Sequence, residues 1–300
     1  MYLPLVCSGL FGLLAPALAR RLPPAVATWL LSGGGLVSAA ASSASLGLLG
    51  LFFLAQTPVL ERRGHWSDDF LRTHEPLAAP AGALAVVAVA VFAVGFLRTG
   101  ARRLAAVREA YRLARAFPDT GSELAVVDSA DRQAFAVPGR PGRIVATSAL
   151  LRGLDAGQRR ALLAHEHAHL AHHHHLHQSL AALVVSVNPL LGRLPAALAL
   201  ACERWADEDA ALVCQRGTVA AALTRAATDR RPAVPALAAA ASDLAARVRA
   251  LHAPAPRLQL WRVAVLAGLS ATTALAAAIA LRDVERLFEL AQSAYLTGQR

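Results

Sequence analysis

The sequence predicts a mainly α-helical, multi-pass membrane protein of about four spans, with a small α+β domain inserted between the third and fourth. Three observations carry that expectation. Apolar residues make up 56% of the 300 positions, mean hydropathy is positive, and several apolar runs approach the roughly 20 residues needed to cross a hydrocarbon core of about 30 Å. Arginines gather at the ends of those runs. Between the third run and the fourth, the pattern changes to short strand-like and helix-like segments.

The runs come in order. Leu3–Ala19 is short and ends at Arg20-Arg21; Ala25–Leu60 is over-long and carries Gly33-Gly34-Gly35. Leu77–Leu97 has no charge, and Leu258–Leu281 has one, Arg262, near its start. Met1–Pro4 carries no positive charge, so the first run reads as a span rather than a signal peptide, although Ala17-Leu18-Ala19 resembles a cleavage site. The expected division is a membrane region at 1–100, a cytoplasmic domain at 101–257, a last span at 258–282 and a short tail at 283–300.

Arginine marks the cytoplasmic side of a span. Arg20 and Arg21 follow the first run, and Arg98, Arg102, Arg103, Arg108, Arg112 and Arg115 follow the third. The N-terminus is therefore expected outside, the loop Glu61–Pro76 outside, and 98–257 inside. The formal charge of +10 is read this way, and direct nucleic-acid binding is not expected. All thirty basic residues are arginine, which with the abundant alanine points to a GC-rich bacterial genome and a plasma-membrane location. Residues 101–116 form an amphipathic pattern that suits either an anionic leaflet or the solvated first helix of the inserted domain. Three scattered cysteines give no disulfide framework and fit a reducing compartment.

Within the inserted segment, Glu123–Asp128, Ala134–Val137 and Arg143–Thr147 read as strands, the last two around a Pro-Gly-rich turn. Asp155 and Gln158 form a capping-box variant opening a helix that is expected to run through the histidines. A second helix carries CERWADEDAALVCQR. Asp229–Ala240, rich in Pro and Ala, reads as a connection.

Residues 165–177, HEHAHLAHHHHLH, hold eight of the eleven histidines. His165-Glu166-His167-Ala168-His169 fits H-E-x-x-H. Residues four apart share a helix face, so both histidines reach one Zn²⁺, while Glu166 beside the first ligand is placed as general base. A catalytic zinc needs a third protein ligand, and Glu203 is the candidate; Asp207, one turn on, is placed to orient a ligand histidine. Residues 180–201 are apolar, and a single crossing there would put Glu203 on the wrong side. Asn188-Pro189, Arg193 and Pro195 break the stretch, so it reads as two short arms folding back. His167, His172, His173, His175 and His177 are expected to play no part in the zinc site, with His167 turned away, His172 and His173 near the ligand face and His175 and His177 facing solvent. His65, His74 and His252 read as ordinary surface or loop residues.

From QAFAVPGRPGRIVATSALLRGL (133–154) through HEHAH and Asn188-Pro189 to E-x-x-x-D at 203–207, the chain resembles the BlaR/MecR-type integral membrane zinc metallopeptidases. More distantly it is similar to the HtpX and CAAX-prenyl proteases, where Asn usually stands in place of Gln133. The resemblance implies a zincin-like metallopeptidase domain holding one catalytic zinc through His165, His169 and Glu203. It also implies Glu166 as base and Asp207 behind the ligands. His174 occupies the place, five residues past the second ligand, where the family pattern often has Asp or His. Antibiotic-sensing members carry an extracellular penicillin-binding domain after the last span. Here only the tail 283–300 follows, so β-lactam sensing by this chain is not expected.

The expected function is a zinc endopeptidase acting on a protein or peptide substrate at the cytoplasmic face, such as a transcriptional repressor or another regulator. The bilayer is its other partner, and the chain carries no sign of an oligomeric state. The competing expectation is a metal-binding or metal-sensing membrane protein that uses 165–177 as a chelator without proteolysis.

Overall fold

The computed structural model describes residues 1–57, 66–67, 70–71, 73, 79–118, 121–228 and 237–298. Most of the loop Glu61–Pro76, with His65 and His74, lies outside the described residues, as do residues 229–236 of the connection read at Asp229–Ala240. The protein is mostly helical, with one small sheet.

Helix α1 (Leu3–Ala19) ends at the arginine pair, and α2 (Pro24–Ala55) starts with a proline in its first turn, where the missing N–H costs nothing. The third helix, α3 (Ala79–Ala116), is unbroken. Gly100 costs about 1 kcal/mol in a helix interior but does not end one. At 1.5 Å per residue, α3 is about 57 Å long. The amphipathic stretch 101–116 therefore prolongs the axis of the apolar run instead of turning to lie along a leaflet. Its far end packs Ala114 against Val137 and Val145 of the sheet.

Strands β1 (Leu124–Val127), β2 (Ala134–Val137) and β3 (Arg143–Thr147) form a sheet of order β1-β3-β2, with β3 parallel to β1 and antiparallel to β2. Central β3 is buried at all five positions. A short helix α4 (Ser148–Arg152) leads to α5 (Ala156–Ala171). Asp155 caps α5: its carboxylate accepts from the Gln158 N–H at 2.8 Å, and the Gln158 side chain accepts from the Asp155 N–H at 3.2 Å.

The helix does not continue through all the histidines. It stops at His172, and His173 adopts the left-handed region at φ 51°, ψ 41° before α6 (His174–Val187) begins. A 3₁₀ turn (Pro189–Leu191) then reverses the chain into α7 (Leu194–Val213). The two arms expected at 180–201 are thus α6 and the start of α7. They share one core with α1, α2 and the last helix, through Phe11, Leu31, Val184, Leu191, Leu198 and Leu266. At the apex, Asn188 donates to Ser8 Oγ at 2.6 Å and to Ser42 Oγ at 3.1 Å, while its Oδ1 accepts from the Leu190 N–H. Gly12 lets the apex close in: a Cβ there would stand 2.2 Å from the Leu190 carbonyl oxygen.

The chain ends with α8 (Arg216–Thr228), α9 (Leu237–His252) and α10 (Leu260–Gly298). Helix α10 carries straight through the residues read as a tail. Three helices, at Pro24–Ala55, Pro80–Ala116 and Leu260–Thr297, are long and apolar enough to cross a membrane, and α1 is shorter at 17 residues. Leu84, Val87, Val91 and Leu97 on α3, and Leu260, Val265, Leu275 and Ile279 on α10, stand exposed. Apolar surface on this scale suits lipid rather than water.

Candidate metal centre

Two helices build the centre. Helix α5 offers His165 and His169 four residues apart on one face, and α7 packs across it with Glu203. The His165 and His169 Nε2 atoms lie 3.2 Å apart. Glu203 Oε2 stands 3.6 Å from His165 Nε2, and Oε1 stands 3.4 Å from His169 Nε2. Three donors bound to one zinc at about 2.0–2.1 Å in tetrahedral geometry would be about 3.3 Å apart. The two histidine nitrogens match that spacing, and the Glu203 carboxylate faces each of them through a different oxygen, so the residues present fit such an ion. Among the described residues, this is the one His/Cys/Asp/Glu group with its donor atoms converging, all within 4.8 Å of one another.

The other ring nitrogens are held from behind. His165 Nδ1 faces Asp207 Oδ1 at 3.0 Å. His169 Nδ1 faces His174 Nδ1 at 2.9 Å. On one unbroken helix, His174 would lie half a turn round from His165; the left-handed His173 swings it back behind His169. With Nε2 of His169 left free for a cation, its Nδ1 carries the proton and donates it to His174. Burial, with the neighbouring His169, pushes His174 down to about 3, so it stays neutral and able to accept.

Arg247 on α9 was not legible in the sequence. Its Nε and Nη2 donate to the two oxygens of Asp207 at 2.8 and 2.7 Å, and Nη1 pairs with Glu203 Oε2 at 2.7 Å. Arg216 positions α9 for this. It donates to the Leu251 and Ala250 carbonyls at 2.9 and 3.0 Å while gripping Glu208 of α7 at 2.7 and 2.9 Å.

Burial and charge pull against one another at this centre. Burial opposes charge on His165, but the facing carboxylates of Asp207 and Glu203 outweigh it and raise its pKa to about 9. Burial and the charge on His165 press His169 down to about 4. Burial also opposes the Glu203 and Asp207 carboxylates. Contacts with His165 and Arg247 overcome it, and both stay below the usual carboxylate range.

Glu166 is buried and lines the same cavity of about 370 Å³ as His165, His169 and Glu203, with Phe135 and Ala136 of β2 along one wall. Three of the remaining histidines are engaged elsewhere, whereas His175, expected in solvent, lines the same cavity. His167 pairs with Glu123 at 2.8 Å, and His172 with Asp209 at 2.6 Å while stacked on Trp205. His177, expected in solvent, is buried against α2: its Nδ1 is 2.8 Å from Ser32 Oγ, and its ring meets Trp29 edge-on. Once the helix restarts at His174, His177 faces the membrane helices.

Residues 99–228 match the family model of peptidase family M48. The match supports a metallopeptidase of the M48 family, and such peptidases are metal-dependent, typically through zinc. His165, Glu166, His169, His174, Glu203 and Asp207 all lie inside the matched residues, and Arg247 lies beyond them. No curated protein and no solved structure matches the chain.

Proposed function

We propose that the protein is a membrane-embedded, zinc-dependent endopeptidase with His165, His169 and Glu203 as ligands and Glu166 as general base. The observation that carries this reading is the arrival of Glu203, from a different helix, within 3.6 and 3.4 Å of the two motif histidines. Zinc, when bound, would polarise the scissile carbonyl and acidify water to a pKa of about 7. Glu166, on the cavity wall, takes the proton from the attacking water and hands it to the leaving amine. Asp207 and His174 fix the ligand rings, and Arg247 holds one oxygen of Glu203 so that the other faces the centre.

The arginine distribution supports a site at the cytoplasmic face, an outside N-terminus and about four spans, α1 among them. A regulatory protein such as a transcriptional repressor fits a cytoplasm-facing peptidase of the BlaR/MecR type in a bacterial plasma membrane. The chelator reading loses ground because His167, His172 and His177 each have a protein partner. Glu166→Gln tests the proposal. It is expected to retain one zinc per chain while abolishing the new protein termini that the wild type generates in cells. Undiminished cleavage by the variant would overturn the mechanism.

A further inference from the structure

Another cavity, of about 420 Å³, shares no lining residue with the one at the metal centre and has Arg20, Arg204, Arg249 and Asp243 along its walls. Three separate elements build it: the turn after α1 supplies Arg20, α7 supplies Arg204, and α9 supplies Asp243 and Arg249. Arg204 is half-buried and donates to the Arg20 carbonyl at 2.7 Å. Among the described residues, none of the three arginines has a carboxylate within ion-pair distance. Three arginines lining one cavity favour an anion that accepts charge-assisted hydrogen bonds from more than one of them.

Its height narrows the choice of anion. Arg20 directly follows the last residue of α1. Trp29, 63% exposed near the start of α2, and Trp261, 57% exposed at the start of α10, flank the same end of the helix bundle. Exposed tryptophans at helix ends mark the headgroup layer. Leu200, Ala246 and Ala250 add apolar lining beside the arginines, and Asp243 is an acceptor for a hydroxyl. We propose that this pocket binds the phosphate of an anionic, hydroxyl-bearing phospholipid headgroup and thereby braces α7 against α9.

The full chain in phosphatidylcholine nanodiscs, with or without phosphatidylglycerol, provides the test. Phosphatidylglycerol is expected to raise the unfolding midpoint and to stay bound through native mass spectrometry. Arg20→Gln and Arg249→Gln should each weaken its binding about fivefold, the effect of removing one cation at an anionic surface. Arg21→Gln, outside the cavity, should not. An equal loss in Arg21→Gln, or no loss in the pocket variants, overturns the site. If inorganic phosphate in phosphatidylcholine discs gives the variant-sensitive shift and phosphatidylglycerol does not, the lipid assignment is overturned. Glu166→Gln should leave the lipid response intact, so this inference and the peptidase reading fail separately.

Discussion

Arg247 closes a bidentate pair on Asp207, at 2.8 and 2.7 Å, from a helix that reaches the centre only after the chain has passed through α8. The pair is buried on both sides, the Asp207 side chain being 3% exposed and that of Arg247 13%. Removing one partner of such a pair leaves a charge without compensation, at a cost of about 3–5 kcal/mol. Arg247→Ala is therefore expected to unfold well below the wild type. Arg247→Lys should fold but lose about 10–100-fold in zinc affinity, because a point charge cannot replace the planar fork behind the ligands. Thermal melts and metal titration check both, and a lysine variant with wild-type zinc affinity would remove Arg247 from the centre.

His173 offers a sharper structural test. A left-handed residue costs about 1–2 kcal/mol for any side chain with a Cβ. His173→Gly is expected to hold or raise the unfolding temperature, and His173→Val to lower it. In a continuous helix the glycine would instead cost about 1 kcal/mol. The two substitutions thus report directly whether the helix breaks here.

The same reasoning applies at the hairpin apex. Gly12→Val pushes a side chain into the Leu190 carbonyl, and overpacking of this kind costs about 1–3 kcal/mol. Gly47→Val, with nothing within 4 Å of its Cβ position, is the matched control. Loss of thermal stability and of metal retention in the first variant alone is the expected result. Equal effects would show that the apex does not seat Glu203.

The pH dependence of the metal-free protein has two limbs. His169, pressed down to about 4, and His174, at about 3, stay neutral in the fold. Their contribution is present above the unfolded value of about 6.5 and is lost as pH falls. His165, raised to about 9, acts in the opposite sense: its contribution is full below about 6.5 and is lost as pH rises through about 9. Chelator-treated protein should therefore be most stable near pH 6.5. Asp207→Asn should flatten the alkaline limb, as melts across pH 4–10 would show. Zinc affinity should climb toward pH 9, because the ion must displace the His165 proton.

Much of this architecture is legible from local signals. The capping box at Asp155, the short strands around the Pro-Gly-rich turn and the i, i+4 histidines are each written in a few neighbouring residues, and the structure has all three elements. Glu203 could be placed only because Asn188-Pro189 and Pro195 break an apolar stretch that would otherwise carry it away. What escaped the sequence is long-range or conformational. Arg247 is one arginine among thirty, without a motif, and its role depends on how α9 docks. The break at His173 has no glycine to announce it, so the partners of His174 and His177 were hidden as well.

The apex at Asn188 also sets a depth. From Ser8, its partner on α1, to Arg20 is about 18 Å along the helix axis, and α6 runs back about 21 Å from the same apex to His174. On the proposed topology, the cavity at the metal centre would then open level with the inner membrane surface. A substrate tethered in the same bilayer would meet it by lateral diffusion within a thin layer, at an effective concentration a free peptide does not reach. Selection by tethering would let a peptidase with a plain cavity be sparing in what it cuts.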